Sequence, residues 1–88
     1  MRTDTIVMNK NDNKYYESTD LCLVTTISLE QGITGISKDI SGRATFCFTN
    51  TPELQKLLNS YWDNKLRIEP KIFFGQLKII KQRLYGNG

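Results

Sequence analysis

The chain contains two prolines, and each stands at a position where a helix is expected to begin. Thr51, Pro52 and Glu53 supply an N-cap hydroxyl, a proline suited to the first turn and an acidic side chain near the helix N-terminus. Large apolar residues then recur at helical spacing, at Leu54, Leu57, Leu58, Tyr61 and Trp62. The pattern predicts an amphipathic helix over residues 51–63.

The second proline follows Glu69 and predicts another helix, from Pro70 to about Tyr85. Its expected buried stripe is Phe73, Leu77, Ile80 and Leu84. Residues 86–88 are Gly, Asn and Gly, so we expect them to form a flexible tail.

The segment before the first proline has the pattern of a β-hairpin. Two runs rich in β-branched and aromatic residues, within 33–49, flank a turn at 38–42 that ends on Gly42. In the second run Ala44, Phe46 and Phe48 alternate with Thr45 and Cys47. One face of the hairpin is therefore apolar, and we expect it to pack on helices.

Residues 18–31 allow two interpretations. Alternating apolar residues and the β-branched Val24, Thr25, Thr26 and Ile27 favour a strand. Ser18 or Thr19, followed by Asp20, suits a helix N-cap, and Gly32 stands where a helix C-terminal glycine would lie. The residues by themselves leave the choice open.

The order of these features resembles a family of small, uncharacterised bacterial and phage-encoded proteins known only as a domain of unknown function. The likeness covers about residues 18–85. The residues that carry it are Thr19-Asp20-Leu21, Gly32, Gly42-Arg43, Phe46-Cys47-Phe48, Thr51-Pro52-Glu53-Leu54, Tyr61-Trp62-Asp63-Asn64, Pro70, Leu77, Lys81 and Leu84-Tyr85. The resemblance implies a helix at 18–31, although Thr25, Thr26 and Ile27 depart from the family's Ala- and Leu-rich pattern there. It also implies a recurrent lysine near the end of the last helix, matched by Lys81, and no activity.

Together these segments predict a small α+β protein. With 88 residues the chain has room for one domain. We expect that domain at 18–85, in the order helix, β-hairpin, helix, helix, with the helices packed on one face of a short antiparallel sheet. Residues 1–17 are expected to be a flexible arm or an edge strand.

The sequence contains no histidine, which excludes Ser-His and Cys-His nucleophiles, histidine general bases and most zinc or iron sites. Cys22 and Cys47 have apolar neighbours and are expected to be buried free thiols, with a disulfide as the alternative. The N-terminal acids lack metal or paired-acid spacing and are interpreted as a solvated stretch; they are Asp4, Asp12, Glu17 and Asp20. We therefore expect no enzyme activity, no metal and no cofactor.

No apolar run approaches the roughly 20 residues that span a bilayer. Residues 1–14 also lack the apolar segment of a signal peptide. We therefore expect a cytoplasmic protein without a membrane partner.

Charge is distributed unevenly along the chain. Residues 65–88 hold six basic residues and one acidic residue, a net charge of +5, whereas residues 1–64 hold six basic and eight acidic residues, a net charge of −2. Lysines that neutralise phosphates and aromatic rings that stack on bases are the usual elements of a nucleic-acid surface. The predicted nucleic-acid-binding residues are Lys65, Arg67, Lys71, Phe74, Lys78, Lys81, Arg83 and Tyr85.

An alternative function is protein–protein interaction, as a homodimer or as a phage-type modulator of a host complex. The C-terminal half has more large apolar residues than one small core is expected to cover. Ile72 and Ile79, in particular, fall on a different helix face from the predicted buried stripe.

Overall fold

A computed structural model describes residues 14–85 of the chain. Its elements are β1 (Tyr15–Ser18), α1 (Leu21–Ser28), β2 (Gly35–Lys38), β3 (Ala44–Thr49), α2 (Pro52–Trp62) and α3 (Pro70–Tyr85). The predicted α+β fold is confirmed, with one strand added before the first helix. That strand lies at the end of the segment predicted as an arm or edge strand. Residues 1–13 of that segment, and the predicted tail at 86–88, lie outside the described residues.

The three strands form an antiparallel sheet in the order β1-β3-β2, so β3 is central. Phe48 lies opposite Tyr16 of β1, and Phe46 lies opposite Ile36 of β2. Both phenylalanines are buried against the helices, as the alternation predicted. The opposite face of β3 carries Thr45 and Cys47, which are half-buried.

The ambiguous segment 18–31 contains a helix, as the resemblance implied. The Asp20 carboxylate caps α1 by accepting hydrogen bonds from the backbone N–H groups of Cys22 and Leu23, at 3.0 and 3.4 Å. The buried hydroxyls of Thr25 and Thr26 donate to backbone carbonyls one turn earlier, at 2.7 and 2.9 Å. These bonds satisfy both polar groups inside the core, which explains how a threonine pair is accommodated in a buried helix.

The interpretation of Gly32 as the helix C-terminal glycine is wrong. Helix α1 ends at Ser28, its C-cap is Leu29, and Gly32 lies three residues beyond that cap. Gly32 also lacks the positive φ of a left-handed cap, which among the described glycines belongs to Gly42 of the β2–β3 turn, at 91°. Helix α1 therefore ends without a C-terminal glycine cap.

Helix α2 has the start and the end that its sequence predicted. The Thr51 hydroxyl accepts a hydrogen bond from the backbone N–H of Leu54 at 3.0 Å. At the other end Asn64 adopts a positive φ of 61°, and the N–H groups of Asn64 and Lys65 bond to carbonyls of the last turn. These two hydrogen bonds together form a Schellman motif, which turns the chain sharply into the connector 63–69.

Helix α3 lies against α1 and is joined at its end to the sheet. Ile80 is fully buried in the shared core. The Gln76 amide donates to the Ser28 hydroxyl at 3.0 Å, and the Lys38 ammonium donates to the Leu84 carbonyl at 2.9 Å. These contacts fix the rotation of α3 and therefore determine which side chains face outward.

The two cysteines are free thiols, but the expectation that they are buried is wrong. Cys22 is exposed because it stands in the first turn of α1, away from the core side of that helix. Cys47 is half-buried because strand alternation places it on the sheet face opposite Phe46 and Phe48.

Candidate nucleic-acid interface

The surface of α3 that faces away from the core is almost entirely exposed. Among its 16 residues only Ile80 is fully buried, and Phe73, Leu77 and Leu84 of the predicted stripe are half-buried. The helix is thus held along one narrow line, and most of its circumference is accessible to a partner.

All eight side chains predicted to bind nucleic acid are exposed. Regular helix geometry, at about 100° per residue, places Lys71 and Lys78 in one row and Phe74, Lys81 and Tyr85 in the adjacent row. These five residues define what we call the outer face of α3. They form one surface, as the sequence pattern indicated.

Three predicted residues lie apart from that face. Arg83 projects about 120° from Lys71, on the flank that carries Ile72 and Ile79. Lys65 and Arg67 lie in the connector before α3 rather than on the helix. Arg83 therefore does not lie on the side of α3 that carries Lys71, Lys78 and Lys81.

The positive charge of the outer face is not neutralised within the described part of the chain. The structure gives no ion pair within residues 14–85 for Lys71, Lys78 or Lys81. The acidic residue of this region, Glu69, instead accepts a hydrogen bond from the backbone N–H of Ile72 at 3.0 Å and so caps the start of α3. The lysine ammonium groups therefore remain available to an anionic partner.

A groove of about 800 Å³ opens beside the N-terminal end of this face, between the end of α2, the connector and the start of α3. Arg67 and Phe74, both predicted as binding residues, line it together. Tyr61, Trp62 and Phe73 complete its aromatic lining. Its volume falls within the range of about 300–1,000 Å³ that is typical of ligand sites.

Trp62 is the last residue of the predicted apolar stripe of α2, and its side chain is 62% exposed. It stands on the final residue of α2, where the chain turns away and no described element covers the ring. The sequence feature that points to an exposed Trp62 is its position at the end of the apolar stripe, next to Asp63 and Asn64, where α2 ends.

The Tyr61 ring supports Trp62 from the side. The two ring centroids are 4.9 Å apart with planes at 87°, an edge-to-face arrangement. A hydrogen bond with the Cys22 side chain, together with burial and nearby negative groups, raises the pKa of Tyr61 above its usual range.

Within residues 14–85 no group of three or more histidine, cysteine, aspartate or glutamate side chains is arranged to hold a metal ion. None of the described helices is both long and apolar enough to cross a membrane.

A family model described as Domain of unknown function (DUF5659) matches residues 13–86. The chain belongs to this family. The match confirms the resemblance and extends it in the N-terminal direction, so that the DUF5659 domain includes β1 as well as the three helices. No curated protein and no solved structure matches the chain.

Proposed function

We propose that this DUF5659 protein is a small non-enzymatic accessory protein that binds nucleic acid through the outer face of α3. The observation that carries the proposal is the set of exposed lysines, without ion pairs among residues 14–85, interleaved with exposed Phe74 and Tyr85. The cytoplasm is the compartment that this function implies.

The spacing of the lysines suits a row of phosphates. At a rise of about 1.5 Å per residue, Lys71 and Lys81 stand roughly 15 Å apart along α3. The three ammonium groups are therefore spread over a distance along which one strand carries more than one phosphate. Phe74 and Tyr85, 63% and 74% exposed, lie in the same sector and present ring surfaces on which bases can stack.

The test is fluorescence anisotropy with labelled oligonucleotides at about 50 mM salt. The variant Lys71→Gln/Lys78→Gln/Lys81→Gln removes the three charges from the outer face. The control Lys14→Gln/Arg43→Gln/Lys56→Gln removes three exposed charges from other parts of the molecule, so both variants have the same net charge. Circular dichroism establishes that each is folded.

We expect binding by the wild type and by the control, and a loss of at least tenfold in affinity for the α3 variant. Equal losses in the two variants would mean that net charge alone attracts the oligonucleotide. Absence of binding by the wild type at this salt concentration would refute the proposal.

A second candidate is a protein–protein interaction module, favoured by the opposite flank of α3. Ile72 and Ile79 are 57% and 51% exposed and lie seven residues, or about two helical turns, apart on a single flank. Light scattering with the wild type and with Ile79→Glu tests the homodimer version. A dimer that dissociates in the variant supports it, and a strict monomer at high protein concentration removes it. Affinity capture with nuclease treatment would separate a heterologous protein partner from one bridged by nucleic acid.

A further inference from the structure

We propose that the groove between α2 and α3 receives an unpaired nucleobase, so that the protein prefers single-stranded to duplex nucleic acid. This inference rests on the proposed function and names the class of nucleic acid. It is carried by three observations, which are the composition of the groove, the exposure of its two outer rings and the charge at its rim.

The groove has aromatic side chains on both of its sides. Tyr61 and Trp62 come from the last turn of α2, whereas Phe73 and Phe74 come from the first two turns of α3. The Schellman motif at Asn64 and the connector hold these two helix ends in place around the opening. A planar ring that enters from solvent therefore meets aromatic surface from either helix.

The two outer rings, Trp62 and Phe74, are largely exposed. Trp62 and Phe74 keep more than three fifths of their surface accessible, which leaves large apolar areas in water. Exposed apolar patches of this kind on a small protein generally mark a binding surface. Base stacking suits them because it covers the ring without requiring a hydrogen-bond partner on the protein.

The charged residue in the lining of the groove is Arg67, which is positive. Arg67 donates from one guanidinium nitrogen to the carbonyls of Asn64 and Leu66, at 3.4 and 3.0 Å, which holds it against the connector. A guanidinium has five N–H donors, so others remain for a phosphate. Lys65 and Lys71 flank Arg67 along the chain, near the start of the connector and at the start of α3. With the acidic Asp63 and Glu69, residues 63–71 hold three basic and two acidic side chains, a net charge of +1. This charge complementarity favours a nucleotide over an uncharged apolar segment of a protein.

The location of the groove determines the strand preference. Bases in a duplex are paired and stacked inside the helix, so their faces cannot reach a groove that is recessed between two protein helices. A single strand presents unpaired bases next to phosphates that can continue along the lysines of α3. The groove and the outer face share Phe74, which makes them one continuous surface.

The chain has a single tryptophan, and it is Trp62. Stacking of a base on this ring quenches its fluorescence, so the unlabelled wild-type protein reports on the occupancy of the groove. Single-stranded oligothymidylate of about 15 nucleotides and a duplex of equal length are the two probes. We expect the single strand to quench Trp62 and to bind more tightly than the duplex at the same salt concentration.

The variants are Trp62→Ala and, as a matched control, Tyr15→Ala, which removes an exposed aromatic ring from β1 outside the groove. Loss of one stacking contact predicts that Trp62→Ala binds the single strand about 5- to 160-fold more weakly, the range that corresponds to stacking energies of about 1–3 kcal/mol. Duplex affinity should stay unchanged, and Tyr15→Ala should bind both probes like the wild type. Since Trp62 is exposed, its replacement should leave the fold intact.

Failures of the two proposals give different results. Lysine-dependent binding with equal affinity for the two probes and no quenching would overturn the base-binding inference and leave the proposed function in place. Absence of lysine-dependent binding would overturn both. Self-association that disappears in Trp62→Ala, without quenching by oligonucleotide, would show that the groove contacts protein and would also overturn the inference.

Discussion

Helices α1 and α3 pack against each other, yet they differ in the share of their residues that is buried. Helix α1 has eight residues, five of which are buried, including two threonines. Helix α3 is twice as long and buries only Ile80 completely, while Ile72 and Ile79 remain exposed. The difference indicates that α1 holds the domain together and that α3, anchored along one line, offers its other surfaces for binding.

The largest expected effect is a difference in the loss of stability when two isoleucines, one buried and one exposed, are replaced by alanine. Ile27 of α1 has no exposed surface, so Ile27→Ala should lower the free energy of unfolding by about 2–5 kcal/mol. Ile79 of α3 is 51% exposed, and Ile79→Ala should change it by less than about 1 kcal/mol. Urea denaturation measures both. Ile80→Ala, one residue along α3 but fully buried, should behave like Ile27→Ala. Similar losses of stability in Ile79→Ala and Ile80→Ala would contradict the proposed difference between the exposed and the buried side of α3.

The next effect concerns the cap of α1. A helix of eight residues is too short to be stable alone, so its first turn depends on the Asp20 carboxylate. Asp20→Ala should destabilise the domain by about 1 kcal/mol, within the range of about 0.5–2 kcal/mol for N-cap losses. Asp20→Asn, which preserves a capping oxygen, should recover most of the loss in thermal or urea denaturation. If the two variants lose equal stability, the capping bond is not the cause.

Gly75 gives a smaller effect of opposite sign. It lies in the middle of α3, and a methyl group added there would meet no atom within 4 Å. Gly75→Ala should therefore stabilise the domain by about 0.5–1 kcal/mol, measured by denaturation. The same variant should weaken oligonucleotide binding, because Gly75 lies beside the lysine row and its missing side chain allows close approach of a strand. Stabilisation with unchanged affinity would show that the strand does not approach the backbone there.

The smallest expected effect is a pH dependence of the free energy of unfolding that comes from the β2–β3 turn. Asp39 of the β2–β3 turn accepts hydrogen bonds from the Ser41 hydroxyl at 2.7 Å and the Arg43 backbone N–H at 2.9 Å. These bonds hold the pKa of Asp39 below its usual value. Because the folded-state pKa is the lower one, this stabilisation is present above about pH 4 and is lost as the pH falls through the folded pKa. Asp39→Asn should flatten that part of the stability profile, and an unchanged profile would exclude Asp39 as its source.

Most of the fold could be predicted because its signals are local. The Thr51-Pro52 start, the Asp63-Asn64 stop and the alternation around Phe46 each specify backbone geometry within a few residues. Residues 18–31 could not be decided in this way, because the hydroxyl bonds that let Thr25 and Thr26 sit in a buried helix are not visible in an apolar pattern. The burial expected for Cys22 failed since it depends on how α1 is rotated against its neighbours.

The candidate site could be predicted only in part, for a related reason. Helical spacing suffices to place Lys71, Lys78 and Lys81 with Phe74 and Tyr85 on one side of α3. The groove depends instead on the angle between α2 and α3, which the connector sets and the sequence pattern does not express. The helical pattern therefore places Trp62 in the apolar stripe of α2 but does not place it at the opening of a groove, where it stands.

The central claim is that the outer face of α3 contacts phosphates, and the salt dependence of oligonucleotide binding tests it most directly. For a single strand, each phosphate contact contributes about 0.7 to the slope of log affinity against log salt concentration. Removing Lys71, Lys78 and Lys81 should therefore reduce the slope by about 2, whereas the charge-matched control should retain that of the wild type. A slope that changes equally in both variants, or in neither, would contradict the claim.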